Sequence, residues 1–175
     1  VAFDKTGTLT RGRFEVTDIV ALQGASEDEL LALAATAEKR SPHPLAQAVV
    51  RAAEARKLAY EPAVKMVNHL GKGLVAEHGG RSIEIGTPEL FASLGVEPPL
   101  AAVERVRAFA HEAKTAMIVR RGDAWGVIAA ADALRPTAAR VVKELRALGV
   151  KHVAMLSGDS TQTVEAIAAR TGVDE

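Results

Sequence analysis

Two short apolar runs near opposite ends of the chain each stop at a turn that carries an acid. Val1-Ala2-Phe3 ends at Asp4, and the run 150–156 ends at Ser157-Gly158-Asp159. Each run has strand length and reads as a buried strand. Pro136 marks a helix start and Gly149 lies just past its end, the usual asymmetry of helix termini. Asp159 can cap a further helix over about 160–171, closed by Gly172. With 127–131 as the strand before them, the last third reads strand, helix, strand, loop, helix. That order is a βαβ unit and implies a parallel sheet with a right-handed crossover. Ligands in such sheets bind at the carboxyl ends of the strands. Asp4 and Ser157-Gly158-Asp159 are therefore predicted to share one rim.

The middle of the chain follows another pattern. A strand is predicted over about 14–22. Ser26 and Glu29 form a capping box ahead of Leu30, Leu33, Ala34 and Ala37, and this helix ends near Arg40. A second helix follows Pro44, with Leu45, Ala48, Val49 and Ala52 on one face. Short β-rich runs then alternate with Gly71-Lys72-Gly73 and Gly79-Gly80, the latter a hairpin signal. Helices are predicted after Pro88 and over about 100–113. A second hairpin, with strands over 115–121 and 125–130, turns at Gly122-Asp123. This is an antiparallel sheet with helices, an α+β layout. A parallel α/β domain (1–12 and 129–175) is thus predicted to be split by an inserted α+β domain (13–128).

Composition narrows the partners. Lys+Arg and Asp+Glu are both 22, so the net charge is zero, which argues against nucleic acid or an anionic membrane surface. The chain has no cysteine, which removes disulfides and thiolate metal sites. No stretch approaches the roughly 20 apolar residues that span a bilayer. Val1 opens inside an apolar run, and both ends read as cuts through a longer protein.

Asp4-Lys5-Thr6-Gly7-Thr8-Leu9-Thr10 carries the chemistry. An aspartate at a strand end can attack a phosphoryl group and form an aspartyl phosphate. Such an attack needs Mg²⁺ and positive charge against the phosphoryl oxygens. Asp4 can serve as nucleophile and metal ligand, Lys5 supplies charge, Gly7 permits a tight turn, and Thr8 offers a hydroxyl donor. A phosphatase of similar layout keeps a second acid two residues after the nucleophile. Here that residue is Thr6, so a phosphoenzyme would form but hydrolyse slowly. A surface turn accounts for one or two such residues, not for seven in order after an apolar strand.

The heptad resembles the phosphorylation signature of P-type ATPases in full, and the resemblance covers the whole chain. It implies a haloacid-dehalogenase-like phosphorylation domain, incomplete here, with an inserted nucleotide-binding domain. Ser157-Gly158-Asp159 is similar to that family's Thr-Gly-Asp element. The hydroxyl of Ser157 would bind the phosphoryl oxygen, and Asp159 follows it. Asp132-Ala133-Leu134-Arg135 is similar to its Asp-x-x-Arg element near the domain hinge, although either charge alone reads equally as a cap or a surface group. The resemblance implies ATP and Mg²⁺ as cofactors, with the metal at Asp4 and Thr6.

Ser41-Pro42-His43-Pro44-Leu45 resembles the Ser-Glu-His-Pro-Leu motif of the heavy-metal-transporting branch, type IB. The resemblance implies that His43 orients adenine and that Glu38 faces its amino group. It also implies that Gly71 and Gly73 let the backbone approach the nucleotide, with Gly86 as the glycine of a later Gly-Asn pair. Pro42 replaces the motif's glutamate, and Thr87 replaces the asparagine. The run 85–91 is closer to zinc, cadmium and cobalt exporters than to copper exporters. Implied partners are ATP or ADP and the transmembrane and actuator domains of one polypeptide, this part being its cytoplasmic portion at a plasma or inner membrane. Family members carry a downstream lysine and a Gly-Asp-Gly-x-Asn-Asp segment beyond this chain, so stable phosphorylation of the isolated chain is expected to be impaired. Two other readings stay open: a soluble phosphatase of the same fold with a large cap domain, and a regulatory nucleotide-binding module.

Overall fold

The computed structural model describes residues 1–157 and 161–174, the side chains of 161–163 excepted. β1 (Ala2–Asp4) runs into a wide turn over Lys5–Leu9 and then β2 (Thr10–Gln23). α1 (Glu27–Glu38) and α2 (Pro44–Ala55) form a helical hairpin. β3 (Lys65–His69), β4 (Gly73–His78) and β5 (Arg81–Gly86) form a meander. α3 (Pro88–Ser93) and α4 (Leu100–His111) precede the hairpin of β6 (Thr115–Arg121) and β7 (Ala124–Leu134). α5 (Ala138–Ala147), β8 (Ala154–Leu156) and α6 (Thr161–Thr171) follow.

The capping box forms as expected: the Ser26 hydroxyl accepts from the Glu29 N–H at 3.3 Å, and the Glu29 carboxylate accepts from the Ser26 N–H at 2.8 Å. α1 then lays Leu30, Leu31, Ala34 and Ala35, all fully buried, against the sheet. Burying each such leucine contributes about 1.5–3 kcal/mol. Gly126 of β7 makes room for this contact, since a Cβ there would sit 2.3 Å from a Leu30 methyl. The turn before β5 has Gly79 and Gly80 at φ 60° and 69°, the left-handed pair of a tight hairpin.

The inserted sheet has six antiparallel strands in the order β2-β7-β6-β5-β4-β3. One core lies between it and α1/α2, and another between it and α3/α4. The parallel sheet comprises β1 and β8 among the described residues, with Asp4 opposite Leu156. A third, smaller core of Leu9, Val142, Val153 and Met155 sits beneath it.

Two expectations are corrected. Residues 127–131 belong to the antiparallel sheet, paired with β2 and β6 as the hairpin reading of 125–130 expected, and do not also open a βαβ unit. An apolar run buried on both faces fits either sheet, and here residues 127–130 are fully buried between two helical layers. The parallel connection is instead β1 to β8, across the whole insert. α5 also starts later than Pro136, because the Ala138 N–H closes a turn on the Arg135 carbonyl at 2.9 Å. β2 and β7 run without a break from the insert to the rim that holds Asp4, through the predicted boundaries at 12/13 and 128/129.

Candidate functional site

Asp4 is exposed at the carboxyl end of β1. Ser157 follows β8 directly, so the two lie on one rim, as the parallel pairing requires. Gly158 and Asp159, also placed there from sequence, lie outside the described residues. Thr6 and Thr8 are exposed in the turn, and Lys5 is half-buried. Gly7 takes φ 82°, where a side chain is strained.

The turn is held by residues distant in sequence. Thr10 is fully buried. Its backbone N–H donates to the Lys5 carbonyl, and its hydroxyl oxygen accepts from the Gly7 N–H at 3.2 Å. The hydroxyl lies 2.9 Å from the Lys5 carbonyl and 2.6 Å from Asp132 Oδ2. It has one proton, and the shorter, charged acceptor takes it. Asp132 Oδ1 accepts from the Arg13 N–H at 3.0 Å. Arg135 donates to the Gly7 carbonyl at 2.8 Å through its guanidinium and to the Leu9 carbonyl at 2.9 Å through its backbone. Asp132 and Arg135 thus grip the turn from the end of β7. The sequence signal for this was the Asp-x-x-Arg spacing, but a cap or surface charge fits that spacing equally. Gly7 spends its own N–H inside the turn on Thr10.

A cavity of about 390 Å³ lies beside the turn, lined by Lys5, Phe14 and Asp132 and by Lys114, Ile167 and Arg170 from the facing elements. Lys114 there is paired with Asp18 at 2.8 Å and Glu112 at 2.6 Å.

The residues singled out for adenine lie elsewhere. Glu38 ends α1 with 8% of its surface exposed, and its Oε2 has no hydrogen-bond partner among the described residues. Burial pushes its pKa up to about 6, against the opposing hydrogen bond from Ser41. Glu38 lines a hollow of about 220 Å³ with Lys39, Ser41, Gln47, Val50 and Arg51. His43 caps α2, its Nδ1 accepting from the Leu45 N–H at 3.2 Å. That bond leaves Nε2 as the proton-bearing nitrogen of the neutral ring. Gly73 and Gly86 face each other across β4 and β5. A Cβ on Gly73 would meet the Ile85 carbonyl oxygen at 2.1 Å, and one on Gly86 the Lys72 carbonyl oxygen at 2.1 Å. Strand packing alone therefore requires both glycines. Gly71 has open space around its missing Cβ and takes φ 71° in the turn. α1 packs across β4 and β5, yet the three glycines do not line the Glu38 hollow.

With this geometry in hand, comparison with known proteins places the chain. The model of the haloacid dehalogenase-like hydrolases matches residues 1–175. The chain belongs to that family. Its relatives include the manganese-exporting P-type ATPase of Mycobacterium leprae, 38% identical over 100% of this chain and 24% of that protein. The probable copper-exporting P-type ATPase of Archaeoglobus fulgidus is 41% identical over 99% of this chain and 21% of its own length. The chain thus spans between a fifth and a quarter of these relatives. A crystal structure of a zinc-transporting PIB-type ATPase superposes with a TM-score of 0.86 at 40% identity, over 98% of this chain and 28% of that one. The N-domain of HMA8, a copper-transporting P-type ATPase, superposes at 28% identity with a TM-score of 0.55, over 65% of this chain and 97% of its own. Among the described residues, no helix is long and apolar enough to cross a membrane.

Proposed function

We propose that this chain is the ATP-binding and phosphorylation portion of a heavy-metal-exporting P-type ATPase, with Asp4 as the phosphate acceptor. The observation that carries this is the rim. Asp4 ends β1 beside Ser157, at the head of a turn fixed by Thr10, Asp132 and Arg135. The manganese, copper and zinc transporters at about 40% identity support the same reading.

In the proposed reaction a carboxylate oxygen of Asp4 bonds to the γ-phosphorus of ATP as the bond to the bridging oxygen breaks, and ADP leaves. Lys5 offsets charge on the phosphoryl oxygens, and Thr8 and Ser157 donate hydroxyls to them. Thr6, which has no acid-base capacity, leaves water unactivated and the acyl phosphate long-lived. Asp4 would supply one carboxylate for Mg²⁺ and Thr6 a further ligand. Among the described residues no cluster of three His, Asp or Glu forms there, and the resemblance implies that an aspartate of the downstream Gly-Asp-Gly-x-Asn-Asp segment would complete the Mg²⁺ site in the full-length protein. That cation would neutralise charge on the transferring group.

The buried carboxylate of Glu38, with one oxygen unpartnered among the described residues, fits an amino-group donor such as adenine's; His43 orienting the base and Gly71, Gly73 and Gly86 approaching the nucleotide rest on the motif resemblance alone. Residues 13–128 would form the nucleotide-binding domain and residues 1–12 with 129–175 the phosphorylation domain, with β2 and β7 as the ribbon between them. A separate N-domain matching 65% of the chain supports this division. The remaining partners are the transmembrane and actuator domains of the full-length polypeptide, with this portion on the cytoplasmic side. We assign the cargo to the zinc, cadmium and cobalt class on the run 85–91.

The test is the full-length protein with γ-labelled ATP, Mg²⁺ and each metal in turn. Acid-stable, hydroxylamine-labile label that appears with zinc, cadmium or cobalt and is absent from Asp4→Asn is expected. Stimulation by copper or manganese alone would overturn the cargo. Rapid turnover of small phosphate esters without phosphoenzyme would replace the pump with a phosphatase.

A further inference from the structure

We propose that Arg11 and Arg13 form a polyphosphate clamp between the Glu38 hollow and Asp4, with Glu15 as the counter-charge that the phosphates displace. The inference rests on the nucleotide reading above and extends it to residues that neither the motifs nor the family match assigns.

The position comes first. Gly12, between the two arginines, takes φ 68° and packs on the phosphate-acceptor turn. A Cβ there would lie 3.5 Å from the Gly7 Cα and 3.9 Å from the Thr6 methyl. Pairing with β7 is irregular between Thr10 and Phe14, a bulge that re-aims side chains. The Arg13 backbone is pinned by Asp132 Oδ1, the carboxylate whose other oxygen takes the Thr10 proton. Any movement of the turn therefore moves the arginines with it.

The charge comes second. Both guanidiniums reach the same oxygen, Glu15 Oε1, at 3.3 Å from Arg11 and 3.0 Å from Arg13. Two cations share one carboxylate oxygen and leave one positive charge in excess. Each guanidinium has five N–H donors in a fork that matches phosphate oxygens. Exposed ion pairs of this kind contribute little to stability, and these arginines are about half exposed. Exchanging the Glu15 carboxylate for a ligand oxygen therefore costs the fold little. The Arg13–Glu15 bond, the larger cause, holds the Glu15 carboxyl below its usual range, so it is ionised and competes with phosphate at neutral pH.

The third observation is continuity. Arg51 of α2 lines the Glu38 hollow and donates to the Phe14 carbonyl at 2.8 Å. Phe14 lies between Arg13 and Glu15 in the chain. Arg51 thus links the hollow proposed for the base to the stretch of β2 that carries the arginine pair, and a nucleotide based in the hollow would lay its phosphates along that stretch.

The experiment is calorimetric titration of the 175-residue chain with AMP and ATP, for the parent, Arg11→Gln/Arg13→Gln and Glu15→Gln. The parent should prefer ATP to AMP. The double variant should lose about tenfold in ATP affinity, with AMP within about twofold of the parent. Glu15→Gln should tighten ATP and leave AMP unchanged, a gain that misfolding cannot imitate. An ATP-to-AMP ratio equal in all three proteins overturns the clamp and leaves the nucleotide reading standing. A parent that binds neither nucleotide overturns that reading and the clamp with it.

Discussion

Asp4 ends β1 in the open, whereas Glu38 ends α1 with 8% of its surface exposed and one carboxylate oxygen unpartnered among the described residues. The two acids are held by different physics. The turn behind Asp4 has only a small core beneath it and is positioned by directed bonds from Thr10, Asp132 and Arg135. Glu38 is placed by the apolar packing of α1 and α2 on a six-stranded sheet. A phosphate acceptor must be reachable and must keep its geometry while neighbouring groups exchange. A recognition acid gains from dryness, because a hydrogen bond made away from water discriminates more strongly. Removing charge should therefore act differently at the two places: on chemistry at the first, on affinity and pH response at the second.

The largest expected effect is that of Asp4→Asn in the full-length protein. Loss of the nucleophile should remove acid-stable phosphoenzyme by a factor on the order of 1,000 or more, read by retained label. Affinity for AMP should stay within about twofold of the parent by titration. A matched loss of affinity would join the two regions into one and break the comparison.

Asp132→Ala comes next. It strips the acceptor from both the Thr10 hydroxyl and the Arg13 N–H, so the turn loses its fixed geometry. A drop of about 10- to 100-fold in the phosphorylation rate is expected, since misplacement near an ångström costs that much. Rapid-quench measurement at saturating ATP isolates this step. An unchanged rate would show that the turn holds its shape without Asp132.

These two regions were not equally legible in the sequence. The capping box, the Gly79-Gly80 hairpin and the Asp4–Thr10 heptad are local, and each appeared where its residues predicted. The shared rim of Asp4 and Ser157 was legible from two apolar runs that each stop at an acid-bearing turn, and the parallel pairing of β1 with β8 supplies it. The run 127–131 was read into both the antiparallel hairpin and the parallel unit, because a run apolar on both faces suits a buried strand of either sheet, and only the hairpin holds. The Thr10–Asp132 bond spans 122 positions, and no local spacing announces it. The dryness of Glu38 was equally hidden: the residue sits at a helix end, where a solvated carboxylate is the ordinary outcome. Only the packing of α1 and α2 on the sheet removes its water.

Glu38→Gln tests that dryness directly. The folded state raises the Glu38 pKa from 4.5 to about 6. Between those values the folded chain binds more protons than the unfolded one, so the contribution of Glu38 to stability is full below pH 4.5 and declines as pH rises through 6. The shift corresponds to about 2 kcal/mol. Glutamine keeps the shape and removes the charge. Unfolding curves of parent and variant should therefore agree near pH 4.5 and separate by about 2 kcal/mol in favour of the variant above pH 6.5. AMP affinity at pH 7 should fall by about tenfold, since the amide offers the adenine amine a weaker acceptor. Coincident stability curves at all pH values would mean that water reaches the carboxylate.

Ser26→Ala is expected to have the smallest effect and tests how Glu38 is positioned. Ser26 caps the helix that Glu38 ends, at the opposite terminus. Loss of the cap should cost about 1 kcal/mol in chemical unfolding. The twelve residues of α1 are otherwise held by leucines and alanines buried against the sheet, so fraying should stay within the first turn. The pH-dependent separation described for Glu38→Gln should then persist unchanged in the Ser26→Ala background. If it shrinks instead, the burial of Glu38 depends on the whole helix being locked at both ends. The Glu38 hollow would then resemble the Asp4 turn, a geometry kept by directed bonds and not by packing.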